Sequence, residues 1–124
     1  MLPAQHKLHR SGDFSVTVRR GRRFGRRTIV LHYRDAAGDG GDDADAPISR
    51  FGGPRVGFVV SKAVGNSVVR HAVTRKLRHV VMDVLDDVPS TADMVIRALP
   101  ASATATSEEL ATDVRKALTR ATRR

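Results

Sequence analysis

One stretch of the chain, residues 55–81, holds Lys62, Arg70, His71, Thr74, Arg75 and Arg78. Together these residues can bind anions. A guanidinium donates in a fixed fork that matches two phosphate oxygens at once, and an ammonium adds a point charge. Templates for covalent or metal chemistry are missing from the sequence. There is no G-x-S-x-G, no G-x-x-x-x-G-K-[ST] and no H-E-x-x-H. His6, His9, His32, His71 and His79 include no pair at the i, i+4 spacing of a helical metal site. Asp83, Asp86 and Asp87 could hold a hydrated Mg²⁺, but a solvated helix end is the simpler reading. No two groups make a self-contained active site.

Cations act together only if an element aligns them. Residues 56–60 are an apolar run, residues 61–65 a short loop, and an amphipathic segment follows. Asn66 is placed to cap a helix, because its side-chain oxygen can accept an orphan backbone N–H. Val69, Val73, Leu77, Val80 and Val84 then recur in steps of three and four, which predicts a helix over 66–85. At roughly 100° per residue the basic residues fall on a neighbouring face. The segment reads as a buried strand, a tight turn, and a helix with one face for a core and one for an anion.

The whole chain has 124 residues, one domain by default, and a net charge of +9. The charge is uneven. Residues 35–53 carry five Asp against one Arg, a net of −4 that leaves +13 on the rest. A basic body of that size attracts polyanions, nucleic acid above all. There is no cysteine, which excludes disulfides and thiolate metal sites. No apolar run approaches the ~20 residues that span a bilayer, and residues 1–14 lack the apolar core of a signal peptide. A cytoplasmic protein without a membrane or protein partner is the simple expectation.

In chain order, Ser11 can cap a short first helix that shares Phe14 and Val18 on one face and stops at Gly21. Six arginines occur in the nine residues 19–27, broken by Gly21, Phe24 and Gly25. With an aromatic interleaved, the run reads as a phosphate-contacting edge, the alternative being a solvated charge run. Residues 28–33 predict a strand, as do 54–60 and 93–99. Residues 35–53, rich in Gly, Asp and Ala, predict a flexible acidic insertion between two strands. Thr106 and Glu109 form a T-x-x-E capping box for a final helix with Leu110, Val114, Ala117 and Leu118 on its apolar stripe. The order predicts an α+β sandwich, with helices over one face of a small mixed sheet.

The segment R-V-G-F-V-V-S-K-A-V-G-N-S-V-V-R, followed by T-R-K-L-R-H, resembles the signature of the bacterial ribonuclease P protein family. Arg55, Gly57, Ser61, Lys62, Gly65, Asn66, Val68, Arg70, Arg75 and Arg78 carry the match. Leu8, Asp13-Phe14 and Gly21 before a basic stretch also fit, as does the late D-M-V-I-R-A segment. The resemblance covers nearly the whole chain except residues 35–53. Ala72 stands where the family's Arg-Asn-Arg core has its second arginine, Ala63 where it has a second lysine, and His32 at a strand position that is often Tyr.

The resemblance implies a single domain over residues 1–124: a two-layer α+β sandwich of about four strands and three helices. It also implies a left-handed strand–helix–strand crossover like that of a ribosomal-protein domain. It implies a protein subunit of ribonuclease P that binds ribonuclease P RNA and the 5′ leader of precursor tRNA. The RNA subunit, which holds most of the Mg²⁺, performs the cleavage. By the same resemblance, Lys62, Asn66, Arg70, His71, Thr74, Arg75 and Arg78 bind the RNA subunit. Phe14, Val18, His32, Tyr33 and Arg55 line the leader cleft, where Phe14 and Tyr33 could stack on bases. Two alternatives are a ribosomal or other structural RNA-binding protein without a catalytic role, and a non-specific DNA-binding protein.

Overall fold

The structure, a computed structural model, describes residues 11–35, 54–89 and 91–122, with side chains from residue 16 onward. In order the elements are α1 (Ser11–Arg20), β1 (Arg22–Gly25), β2 (Ile29–Asp35), β3 (Arg55–Val59), α2 (Ser67–Val84), β4 (Ala92–Ala98) and α3 (Ser107–Thr122). Single 3-10 turns at Leu85–Asp87 and Pro100–Thr104 flank β4. Four strands form one mixed sheet in the order β1-β2-β4-β3. β2 pairs antiparallel with β1 and β4, while β3 and β4 run parallel.

β1 is absent from the sequence reading. It is four residues long, basic, and an edge strand, so it carries no apolar alternation. Its register comes from β2: Arg22 lies opposite Tyr33 and Phe24 opposite Leu31. β2 runs two residues further than expected, to Asp35, whose carboxylate accepts a hydrogen bond from Thr91 Oγ1. The expected acidic insertion otherwise lies outside the described residues.

Alternation sorts the strands into two faces. Ile29, Leu31 and Tyr33 of β2 and Met94, Ile96 and Ala98 of β4 share one face with Val56 of β3. α2 and α3 cover that face. α2 contributes Val73, Leu77, Val80, Val81 and Val84, and α3 contributes Leu110, Val114, Ala117, Leu118 and Ala121. Leu77 is wholly buried, and sealing such a side chain stabilises by roughly 1.5–3 kcal/mol. Val30 and Val95 are buried on the other face, outside that cluster, where α1 runs against β2 and β4. Two helices therefore form the layer that the sequence implied, and α1 lies across from them.

The handedness of the β3–α2–β4 crossover follows from one hydrogen bond. Leu99 N–H donates to Thr28 C=O, so Thr28, and by alternation Val30, direct their backbone polar groups toward β4. In an L-residue those groups lie to the right when the side chain faces the viewer and the strand runs upward. Seen from the α2 side with β3 and β4 running upward, β4 then lies to the left of β3. The crossover is left-handed, against the right-handed preference of parallel units.

Polar joints fix the periphery. Glu109 Oε1 accepts from Thr106 N–H at 2.8 Å, and Thr106 Oγ1 accepts from Glu109 N–H at 3.1 Å, the reciprocal capping box expected for α3. Gly21 joins α1 to β1 where only hydrogen fits. A Cβ there would sit 2.3 Å from Thr17 O and 2.7 Å from Tyr33 O.

Candidate nucleic-acid interface

α2 begins at an Asn66 cap whose Oδ1 accepts from Val69 N–H at 3.0 Å. Gly65, before the cap, has φ +158° and faces Val69 so closely that a Cβ would meet it at 3.0 Å. There is no acidic residue in the first turn of α2, so nothing there offsets the positive end of the helix dipole. Lys62, Asn66, His71 and Arg75 are exposed, and Arg70, Thr74 and Arg78 are half-buried. His71, Thr74, Arg75 and Arg78 lie along one side of α2, away from the core stripe, with Arg70 at its margin and Lys62 in the loop before it. Arg70 Nε is buried without a hydrogen-bond partner among the described residues. Thr74 Oγ1 donates to Arg70 O at 2.8 Å, which leaves its lone pairs available as acceptors.

Lys76 marks the opposite flank of α2. Its ammonium donates to Ala105 O at 3.2 Å, in the segment leading to α3. The flank bearing Arg70, Thr74 and Arg78 thus faces away from α3, over the β3 edge of the sheet. Ala72, two residues on from Arg70, is turned roughly 160° away on the helix and is half-buried.

The second candidate surface is the α1 side of the sheet. His32 lies there, in register between Arg23 of β1 and Val95 of β4, with Arg97 on the same face. It is buried, and neither ring nitrogen has a hydrogen-bond partner among the described residues. Burial, then the charges of Arg97 and Arg23, hold its pKa below the ordinary histidine value. The sequence reading put Arg23 in a phosphate-contacting run without placing it beside His32, and it missed Arg97. The i, i+2 spacing of Asp93, Val95 and Arg97 was the available signal.

The other expected cleft residues differ in placement. Tyr33 does not face this surface. It is 4% exposed, in the core cluster under α2 and α3, and burial followed by the Asp35 charge raises its pKa. A ring sealed there presents no face to a base, and the reason is strand parity: neighbours on β2 point to opposite faces. Arg55 is on the His32 side, but its Nε and Nη2 donate to Asp93 Oδ1 and Oδ2, both at 2.9 Å. Val18 of α1 is 36% exposed. Phe14 falls in the α1 backbone, and its side chain lies outside the described residues.

The arginine run is dispersed by the fold. Arg19 and Arg20 end α1. Arg23 joins His32, while Arg22 and Phe24 point the other way, toward α3. Arg27 pairs with Glu109 at 3.0 Å. Asp113 on α3 anchors the β1–β2 turn, accepting from Thr28 N–H at 3.0 Å and from Thr28 Oγ1, with Arg26 Nε at 3.7 Å. Burial alone would raise the Asp113 pKa. The Thr28 hydrogen bonds and the neighbouring arginines outweigh it and bring the pKa below the ordinary value.

Among the described residues, no three His, Cys, Asp or Glu side chains converge to hold a metal, so these residues make no cage for Mg²⁺. Also among them, no helix is long and apolar enough to cross a membrane.

Comparison with known proteins meets this geometry. The family model described as Ribonuclease P matches residues 2–122. The chain is 54% identical over 120 residues to the ribonuclease P protein component of Rhodococcus opacus, covering 97% of this chain and 91% of that one. It is 51% identical over 124 residues to that of Corynebacterium diphtheriae, covering 100% and 99%. The fold is similar to the Staphylococcus aureus RNase P protein, with a TM-score of 0.75 at 18% identity over 94% of this chain and 95% of that one. For the Thermotoga maritima RNase P protein the TM-score is 0.71 at 16% identity, over 92% and 96%.

Proposed function

The chain belongs to the ribonuclease P protein family, and on that premise we propose that its α2 face binds the catalytic RNA subunit of ribonuclease P. In this reading the α1 side of the sheet receives the single-stranded 5′ leader of precursor tRNA. The assembly is a cytoplasmic ribonucleoprotein that matures the 5′ ends of tRNA. One observation carries the reading: Arg75 and Arg78 lie along one flank of α2, with Lys62 in the loop before it, and none of the three forms an ion pair among the described residues. Unpaired cations on a fixed scaffold are what a phosphate backbone requires.

Division of labour follows from the chemistry. Hydrolysis of a phosphodiester calls for an activated hydroxide and charge neutralisation at the reacting phosphate. This chain supplies cations and shape, and Mg²⁺ belongs mainly to the RNA subunit. Arg70, Arg75 and Arg78 act as forked donors to phosphate oxygens, and Lys62 adds charge near the α2 N-terminus. Asn66 serves by holding that N-terminus in place. On the leader side, Arg23 and Arg97 are the groups offered to the RNA strand, with His32 buried between them, and the family resemblance adds Phe14 and Val18 of α1. Arg55 acts by fixing Asp93.

Reconstitution tests this. The purified chain is added to a bacterial ribonuclease P RNA at limiting Mg²⁺, and cleavage of precursor tRNA is followed. The protein alone is expected to be inactive and to stimulate the RNA most when Mg²⁺ is scarce. Cleavage by RNA-free protein, or no stimulation at any Mg²⁺ concentration, would overturn the proposal.

A further inference from the structure

A groove of about 680 Å³ opens between β1 and α3. Arg22, Phe24 and Arg26 line one wall, and Arg115, Lys116 and Arg120 the other. The spacing on α3 brings its three cations to one side of the helix, opposite the buried stripe of Leu110, Val114 and Leu118. Among the described residues, Arg115, Lys116 and Arg120 are exposed and form no ion pair.

The other wall is preorganised. Arg22 donates to Ala121 O of α3 and its guanidinium carbon lies 5.3 Å from the Phe24 ring centroid, so the guanidinium is tied between α3 and β1. Arg26 Nε is buried without a hydrogen-bond partner among the described residues. Asp113 on α3, 3.7 Å from Arg26 Nε, is also engaged by Thr28. Arg22, Arg115, Lys116 and Arg120 therefore converge with little compensation, while Asp113 offsets Arg26, and their mutual repulsion is a cost that a polyanion would relieve.

We propose that this groove is a second RNA-backbone site, separate from the α2 face and from the α1 side of the sheet. The proposal rests on the reading that the partner is RNA. β1 and β3 are the two edges of the sheet, roughly 14 Å apart at the usual strand spacing, so the groove and the α2 flank lie on opposite sides of the molecule. Residues 115–120 extend roughly 7.5 Å along α3, so an extended chain of phosphates meets all of them where a single anion would not. The Phe24 ring is covered on one side by Arg22 and packs on the core, which leaves no free face for a base. Recognition here is of phosphates, independent of base sequence and steeply salt-dependent. The two sites together let one small protein bridge separate segments of a folded RNA.

The test compares the full chain with two variants, R115A/K116A/R120A in the groove and R70A/R75A on α2. Each is checked for folding by circular dichroism, then titrated with ribonuclease P RNA across a salt series. The groove variant is expected to bind about tenfold or more weakly near 0.1 M salt, with the slope of log K against log salt lower by about 2. Its effect should add to that of the α2 variant, since the sites share no partners. Because the chain has no cysteine, Thr119→Cys and Val68→Cys can each carry a photo-cross-linker, and they are expected to label separate RNA segments. If the α2 variant weakens binding while the groove variant changes neither affinity nor slope, the groove proposal fails and the proposed function stands. If neither variant changes binding, the reading it rests on fails first. If Thr119→Cys labels no RNA, the groove is not a backbone site.

Discussion

Asp113 stays ionised where burial alone opposes it, and the hydrogen bonds from Thr28 are the reason. Asp113→Ala leaves the Thr28 N–H and Arg26 without their acceptor and should lower unfolding stability by about 2–3 kcal/mol, read by urea denaturation. The sign of its pH dependence is set by the depressed pKa. Its contribution is present above the unfolded carboxyl value and is lost as pH falls through the lower folded value. Acid titration of the wild type should therefore show a stability loss that Asp113→Asn largely lacks. His32 behaves in the same direction for a different reason. Its folded pKa is below that of the unfolded chain, so stability falls as pH drops through the unfolded histidine value toward the folded one. Nuclear magnetic resonance of the His32 ring should show a neutral imidazole at pH 7 that titrates below about 6.5, and Arg97→Ala should move that titration upward. A ring protonated at pH 7 would contradict the electrostatics assigned to that face. The pair His32 and Tyr33 also shows what a sequence hides. Residues 28–33 are apolar or aromatic almost throughout, because both faces of β2 are buried. Without alternation, nothing in the sequence said which neighbour faced the core.

α2 was legible from its residues because three signals coincide there: an Asn cap, a five-residue apolar stripe and a basic flank. The structure ends it at Val84, one residue before the expected limit, with Leu85 passing into a 3-10 turn. β1 was illegible for the opposite reason. An edge strand of two arginines, Phe and Gly owes its conformation to pairing with β2, a long-range effect with no local signature. α3 repeats the first case, its capping box visible in Thr106 and Glu109. Asn66 offers a test at this scale, since it is both a cap and a member of the expected RNA site. Asn66→Ala should cost about 1 kcal/mol of stability and weaken RNA binding. Asn66→Ser, which can still accept from Val69 N–H, should restore both. If serine restores stability but not RNA binding, Asn66 touches RNA directly.

Across the whole molecule, charge and topology act together. The sheet order β1-β2-β4-β3 places α3 toward one edge and α2 toward the other. The cations of a chain with net charge +9 are thereby divided among the α2 flank, the His32 face and the β1–α3 groove. The excess charge was plain in the sequence, and its division into three surfaces required the fold. The left-handed crossover was implied by the resemblance alone, because a strand–helix–strand pattern in the sequence carries no mark of its hand, and the commoner hand is the right. The central claim is that the outer flank of α2 binds RNA through unpaired cations. Its most direct test is the dissociation constant for ribonuclease P RNA, measured from low to moderate salt for wild type and Arg75→Ala. Arg75 is exposed, so its removal should leave the fold intact. The account expects weaker binding and a salt slope lower by roughly 0.7–0.9, the change for one phosphate no longer neutralised. An unchanged affinity and slope in a folded Arg75→Ala protein would contradict it.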